Sequence, residues 1–157
     1  ALDFMQNVDG DILIQVLPTS PLVSLDEIQA FTSHMIKNNL NTLISVEHKQ
    51  IACLHKNTAL NFDKFKKNPP SQEMEPIKAY TTVLMGWEYK SFISNMKKYG
   101  CGYHGCDSKV GYYELNGLST IDIDNEKDFL LAEAIILALK KQKKKEIKFY
   151  EWGWHWY

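Results

Sequence analysis

Leu118-Ser119-Thr120-Ile121-Asp122-Ile123-Asp124 is the stretch around which the rest of the sequence is organised, and it leads directly into a helical pattern. Its short β-type run predicts a strand over residues 119–123. Because side chains alternate along a strand, Asp122 and Asp124 should point to the same side. Paired carboxylates at a strand end offer the oxygen ligands that Mg²⁺ prefers, with positions left open for water and phosphate. The pair is therefore a candidate metal site.

The same acids also fit the start of a helix. Asp124 or Asn125 can cap it, because short polar side chains accept hydrogen bonds from the free N–H groups of the first turn. Glu126 and Asp128 would then be ordinary partners of the positive end of the helix dipole. Spacing alone leaves both interpretations open.

Strand and helix patterns alternate along the whole sequence. Ser24 and Glu27 form a capping-box signature at the start of one helix, and Asn116-Gly117 favours a tight hairpin between the last two strands. Predicted strands cover residues 11–17, 41–46, 79–85, 111–115 and 119–123, and predicted helices cover residues 25–38, 87–98 and 126–142. This alternation predicts an α/β fold.

The near-continuous apolar run of residues 11–17 is typical of a strand covered on both faces, as in a parallel sheet. Residues 11–46 therefore predict a β-α-β unit with a right-handed crossover. Residues 47–78 are polar and broken by prolines, which predicts an excursion from the main sheet. We expect a single domain over residues 1–157.

The composition excludes several classes of protein. The chain is 45% hydrophobic and 24% charged with a formal net charge of −1, which gives no electrostatic bias toward nucleic acid or a membrane surface. No apolar run approaches the roughly 18 to 20 residues of a membrane span. Three cysteines argue for a reducing compartment rather than a disulfide framework, so we expect a cytoplasmic protein. All 18 basic residues are lysine, so a bound anion would be met by lysine, backbone N–H or metal.

Two smaller features keep more than one interpretation. Cys101, His104 and Cys106 can be structural or can supply three ligands of a zinc site, although their spacing matches no zinc-finger pattern. Near the C-terminus, Trp152, Trp154 and Trp156 alternate with other residues and predict one broad apolar face. That face can pack on its own domain or on a partner subunit.

The order of motifs resembles the acylneuraminate cytidylyltransferases, the CMP-sialic acid synthetases and their relatives acting on similar nonulosonic acids. The resemblance rests on a strand over residues 12–17, the turn Pro18-Thr19-Ser20-Pro21, a capped helix, a strand over residues 42–46 and the double-aspartate stretch before a helix. It spans nearly the whole chain and corresponds to the C-terminal two-thirds of such an enzyme.

The resemblance implies a Rossmann-like nucleotidyltransferase fold, a three-layer sandwich with a mixed sheet, whose N-terminal strands are missing here. It implies coupling of CTP to the anomeric hydroxyl of a nonulosonic acid, with Mg²⁺, to give CMP-sugar and pyrophosphate. The chain starts inside a helical pattern without an initiator Met, which we interpret as a fragment. Without the glycine- and lysine-bearing loop that holds CTP in the family, we expect this piece alone to be inactive.

Site residues follow from the same resemblance. Asp122 and Asp124 would be catalytic carboxylates that hold Mg²⁺. The substrate-binding residues would be Gln15, Thr19, Ser20 and Gln72, with Thr19 and Ser20 at the carboxyl end of a strand, where ligands of open α/β sheets bind.

The chain also departs from the family pattern. Leu17 stands where members commonly have Gln before Pro-Thr-Ser-Pro, and Gln15 lies two residues earlier. Pro70 and Ser71 replace the arginines usual before Gln72, and residues 80–82 are Tyr-Thr-Thr where members usually carry Asn-Gly. These departures keep open a degenerate, non-catalytic member that serves as a binding or assembly module. An unpaired sheet edge further predicts a homo-oligomer.

Overall fold

The computed structural model contains both helices and strands and describes residues 1–67 and 69–143. The helices are α1 (Leu2–Asn7), α2 (Leu25–Lys37), α3 (Tyr89–Tyr99) and α4 (Glu126–Lys143). The strands are β1 (Ile12–Val16), β2 (Thr42–Lys49), β3 (Leu54–His55), β4 (Thr58–Ala59), β5 (Ile77–Glu88) and β6 (Val110–Glu114). Short 3₁₀ helices cover Ser71–Glu73 and Gly117–Thr120. The predicted aromatic face at Trp152, Trp154 and Trp156 lies outside the described residues.

The chain divides into two compact units, Ala1–Asp122 and a second unit that begins at Ile123. The first contains all six strands, and the described part of the second contains α4. The expectation of a single domain over residues 1–157 stays a prediction.

The main sheet has four strands in the order β1-β5-β2-β6. β5 is antiparallel to both β1 and β2, whereas β2 and β6 are parallel. The sheet is therefore mixed, and the predicted α/β fold is confirmed. β1 and β2 run in the same direction, as a β-α-β unit requires, but β5 lies between them. The ladder of β1 is consequently antiparallel, and the parallel pairing expected for this strand was wrong.

Helices pack on both faces of the sheet in the first unit. On one face, Leu13 of β1 and Trp87 of β5 belong to a core cluster with side chains of α1 and α3. On the other face, Ile12 and Ile14 of β1 pack with Phe31 and Met35 of α2. Strand β1 is therefore covered on both sides, as its apolar run predicts. The result is a helix-sheet-helix arrangement of three layers.

Local signals placed α2 correctly. Ser24 is its N-terminal cap, and the capping box with Glu27 is formed in both directions. Phe31 and Met35, four residues apart, are fully buried, since residues at that spacing lie on the same face of a helix.

Trp87 belongs to β5 rather than to the helix predicted from residue 87. It is paired with Leu13 on one side and with Thr42 on the other, so the sheet holds its backbone on both sides. The side chain is fully buried. Helix α3 begins only at Tyr89.

The predicted strand over residues 119–123 and its hairpin with β6 are also wrong. Gly117 adopts a left-handed conformation with φ at +64°, and a 3₁₀ helix follows up to Thr120. The Thr120 hydroxyl donates a hydrogen bond to the carbonyl of Gly117 at 2.9 Å. These groups are satisfied inside the turn, and residues 121–123 are not assigned to any strand.

Residues 50–67 and 69–76 lie outside the main sheet and contain a small hairpin of their own, in which Leu54 pairs with Ala59 and His55 with Thr58. Within the part of the chain that the structure describes, no helix combines the length and hydrophobicity needed to cross a bilayer.

Candidate active site

The candidate site lies at one edge of the main sheet. Because β1 and β2 are both antiparallel to β5, and β6 is parallel to β2, the carboxyl ends of β1, β2 and β6 share this edge. Open α/β sheets bind ligands at the carboxyl ends of their strands. The turn after β1 and the 3₁₀ helix after β6 both start here.

Ser20 and Asp122 meet at this edge. After β1, the N–H of Leu17 donates to the carbonyl of Val83 at 3.0 Å, and the chain then turns with the N–H of Ser20 donating to the carbonyl of Leu17 at 3.2 Å. Ser20 is buried, and its hydroxyl donates to Oδ1 of Asp122 at 3.3 Å. The structure therefore joins the Pro-Thr-Ser-Pro turn to the first aspartate of the double-aspartate stretch.

A second link at this edge runs from Glu27 to Ser119. Oε2 of Glu27 accepts the N–H of Ser24 at 2.8 Å, while Oε1 accepts the hydroxyl of Ser119. Partial burial raises the pKa of Glu27, but the hydrogen bonds from Ser119 and Ser24 outweigh it and leave that pKa below the ordinary value of 4.5. One carboxylate thus caps α2 and anchors the 3₁₀ helix. The sequence indicated only the first role, because nothing local connects residues 27 and 119.

In the second unit, the start of α4 settles which residue caps the helix. Oδ1 of Asn125 accepts the N–H groups of Lys127 at 2.9 Å and Asp128 at 3.3 Å. Oδ2 of Asp128 in turn accepts the N–H groups of Asp124 at 3.1 Å and Asn125 at 3.2 Å. Asn125 is therefore the cap. The carboxylate of Asp124 takes no part in capping and is exposed.

The other predicted substrate-binding residues are placed as follows. Gln15 is half-buried on β1, and Thr19 is exposed in the turn that contains Ser20. Gln72 is exposed in the 3₁₀ helix of the excursion, where its backbone carbonyl accepts the side-chain amide of Gln50 at 3.1 Å. The structure ties Gln72 to this excursion, whereas Thr19 lies beside the Ser20–Asp122 pair.

A strained backbone position lies close to the turn after β1. The pairing of β2 with β5 is irregular between Ile44 and Val46, and Thr82 adopts φ at +55°. The buried hydroxyl of Ser45 lies 2.7 Å from that of Thr81 and accepts the N–H of Leu84 at 3.0 Å. A β-branched residue in the left-handed region is an outlier, and such strain concentrates at functional sites.

Only the resemblance to a family gives a signal for this irregularity. Residues 80–82 are the segment where the acylneuraminate cytidylyltransferases usually carry Asn-Gly, and glycine and asparagine adopt positive φ most readily. The structure shows this conformation at Thr82, although the residue type that favours it is absent.

Asp122 and Asp124 stay predicted Mg²⁺ ligands. Ser20 donates to one oxygen of Asp122, so the other oxygen remains available, and Asp124 is not used for capping. Mg²⁺ is commonly held by one or two carboxylates together with water and substrate phosphates. Among residues 1–67 and 69–143, no group of three or more His, Cys, Asp or Glu side chains is arranged to hold a metal ion. The zinc interpretation of Cys101, His104 and Cys106 therefore gains no support.

Solved structures share this fold. The 4-diphosphocytidyl-2C-methyl-D-erythritol synthase from Anaerococcus prevotii superposes with a TM-score of 0.60 and 12% sequence identity. The superposition covers 86% of this chain and 64% of the Anaerococcus chain. The bifunctional IspDF from Campylobacter jejuni gives a TM-score of 0.60 and 12% identity over 82% of this chain and 32% of that chain. The 2-C-methyl-D-erythritol 4-phosphate cytidylyltransferase from Thermus thermophilus gives a TM-score of 0.54 and 10% identity over 87% of this chain and 67% of that chain.

Comparisons by sequence found no relatives. No protein-family model matches the chain, and no curated protein matches it. The chain spans 64% of the Anaerococcus protein. At 10–12% identity the common property is the fold. This chain has the α/β fold found in cytidylyltransferases.

Proposed function

We propose that this chain forms part of a CTP-dependent cytidylyltransferase that converts a nonulosonic acid to its CMP-sugar. The hydrogen bond between Ser20 and Asp122 carries the proposal, because it joins two motifs separated by 102 residues at the ligand-binding edge of the sheet. The shared fold with cytidylyltransferases supports the reaction class, and the order of motifs supports the sugar acid.

Asp122 and Asp124 are the proposed Mg²⁺ ligands, and the bound ion would neutralise triphosphate charge and polarise the α-phosphate. The hydroxyl of Ser20 orients the Asp122 carboxylate through its hydrogen bond. Thr19 is exposed in the same turn and would contact substrate, and Gln15 and Gln72 stay proposed substrate-binding residues. The anomeric hydroxyl attacks the α-phosphorus of CTP, the bond to the β-phosphate breaks, and pyrophosphate leaves.

The sugar acid is a finer proposal than the reaction class. The neighbours from Anaerococcus and Thermus are named for methylerythritol compounds, whereas the motif order of this chain resembles enzymes of nonulosonic acids. Both reactions consume CTP and release pyrophosphate, so pyrophosphate release with a panel of acceptors separates the two.

The test uses the full-length gene product with CTP, Mg²⁺ and either N-acetylneuraminate or 2-C-methylerythritol 4-phosphate. We expect CMP-sugar with the first acceptor. Asp122→Asn should lower kcat/KM by about 10²- to 10³-fold, since the lost charge stabilisation is worth several kcal/mol. Ser20→Ala should lower it by roughly 10-fold, as expected for a group that orients a ligand.

Asp26→Asn is the matched control, because this exposed aspartate lies in the first turn of α2 and has no assigned role. It should leave activity unchanged. If product formed with 2-C-methylerythritol 4-phosphate and not with N-acetylneuraminate, the proposed sugar-acid substrate would be wrong and the proposed reaction class would stand. Equal activity of Asp122→Asn and Asp26→Asn would refute the proposed role of Asp122 in the active site.

The alternative is a non-catalytic assembly module, and one observation favours it. Residues 50–76 expose Ile51, Leu54, Leu60 and Phe65, of which Phe65 is 98% exposed. Apolar side chains that form a contiguous exposed patch mark interaction surfaces. We propose that the segment supports a homo-oligomer. Sedimentation should show Phe65→Ser shifting the protein toward monomer, and robust CMP-sugar formation would exclude the purely structural role.

A further inference from the structure

The loop between α3 and β6 carries two free, exposed cysteines, Cys101 and Cys106. They flank a turn in which the N–H of Gly105 donates to the carbonyl of Gly102 at 3.1 Å. A turn closed in this way brings the residues on either side of it together. The thiol of Cys106 accordingly lies 3.2 Å from the carbonyl oxygen of Cys101.

The surroundings of the Cys106 thiol affect its pKa. Partial desolvation raises the pKa of Cys106, and the neighbouring Cys101 and Asp107 raise it further. The third cysteine, Cys53, is half-buried in the excursion, where its N–H donates to Asn61 at 2.9 Å. Cys101 and Cys106 therefore form a pair within one loop, whereas Cys53 belongs to a different segment of the chain.

Buried side chains of β5 and α3 hold the backbone of this turn by hydrogen bonds. The indole N–H of Trp87 donates to the carbonyl of Tyr103 at 3.1 Å, and the side-chain amide of Asn95 donates to the carbonyl of Gly105 at 2.9 Å. The Tyr103 ring packs against Trp87 and Phe92 with centroids 5.5 and 5.4 Å away. These contacts restrict the turn while leaving both thiols at the surface.

We propose that Cys101 and Cys106 are a redox-active dithiol that closes to an intraloop disulfide. One thiolate attacks a low-molecular-weight disulfide and releases one equivalent of its thiol. The second cysteine then attacks the mixed disulfide and releases the other equivalent. Two electrons pass from the protein thiols to the external disulfide, and two protons are released from the cysteines and taken up by the departing thiols.

Closure would act on the side chains between the cysteines. The His104 ring lies 5.8 Å from Tyr80, which lies 5.9 Å from Tyr112. A covalent bond across the turn restricts Tyr103 and His104 together, because the loop that contains them becomes a ring. The oxidised loop would thus hold His104 against the exposed ring of Tyr80.

The experiment equilibrates the full chain with mixtures of reduced and oxidised glutathione, blocks remaining thiols by alkylation, and cleaves after lysine. Residues 99–109 then form one peptide with both paired cysteines, and residues 50–56 form another with Cys53. We expect the first peptide to lose two hydrogens and escape alkylation while the second is alkylated. Mixed glutathione disulfides on both paired cysteines, without the intraloop bond, would overturn the proposal.

Variants and the unfolded chain make the test sharper. Cys53→Ser should leave the closure unchanged, whereas Cys106→Ser should retain glutathione on Cys101. The effective concentration of one thiol at the other should be about tenfold higher in the folded protein than in urea, since the turn preorganises the pair. Equal values in both states would show that the fold contributes nothing and would reject the structural basis of the proposal.

Discussion

Replacing Thr82 with glycine should stabilise the protein, although glycine within a strand usually does the opposite. Thr82 lies in β5 with φ at +55°, a conformation that side chains with a Cβ rarely adopt. A non-glycine residue there costs about 1–2 kcal/mol. Glycine removes that strain, but it also makes the unfolded chain more flexible. That added entropy lowers the free energy of unfolding by about 0.4–1 kcal/mol.

The net expectation is a gain of about 0.5–1 kcal/mol in the free energy of unfolding. The Thr82 hydroxyl contributes little against this, because it donates only to the carbonyl of the preceding Thr81, at 2.7 Å. For a chain of 157 residues, such a gain raises Tm by roughly 1–4 °C. Urea unfolding followed by fluorescence should show a higher midpoint with an unchanged m-value.

Thr58→Gly is the matched control, since Thr58 lies in strand β4 and is not among the positive-φ residues. That variant should lose about 0.5–1 kcal/mol, the usual effect of glycine in a strand. If Thr82→Gly destabilised the protein as much as Thr58→Gly, the assignment of strain to this position would be refuted. Thr82→Asn should fall between threonine and glycine.

Two further predictions follow from the geometry. Ionised Glu27, whose pKa is lowered, contributes stability that is present above pH 4.5 and is lost as the pH falls through its folded pKa. Urea titrations of Glu27→Gln should therefore show a weaker loss of stability on acidification than the unchanged protein shows. The same pH dependence in both proteins would contradict this. Gly105→Ala should unfold at a clearly lower temperature than Gly100→Ala. Both glycines have positive φ, but a Cβ at Gly105 would clash with Val110 while Gly100 has open space. Equal Tm values in calorimetry would count against the packing argument.

Local patterns predicted the fold class and much of the secondary structure. The capping box at Ser24 and Glu27 and the buried spacing of Phe31 and Met35 depend on contacts within one or two helical turns. Such patterns can be recognised from the sequence, because the residues that make the contacts are close together along the chain. They failed at Trp87, because an apolar residue between a strand and a helix fits either element until the neighbouring strands are placed.

The sequence by itself determined which residues are available at the candidate site: the Pro-Thr-Ser-Pro turn, the two aspartates and the absence of arginine. The tertiary structure decided which of them meet. Ser20 bonds to Asp122 and Ser119 to Glu27 across 102 and 92 residues, and the left-handed Thr82 depends on an irregular pairing with β2. These contacts form only when β1, β5 and β6 have assembled, because hydrogen bonds between distant residues are set by the sheet and not by either segment.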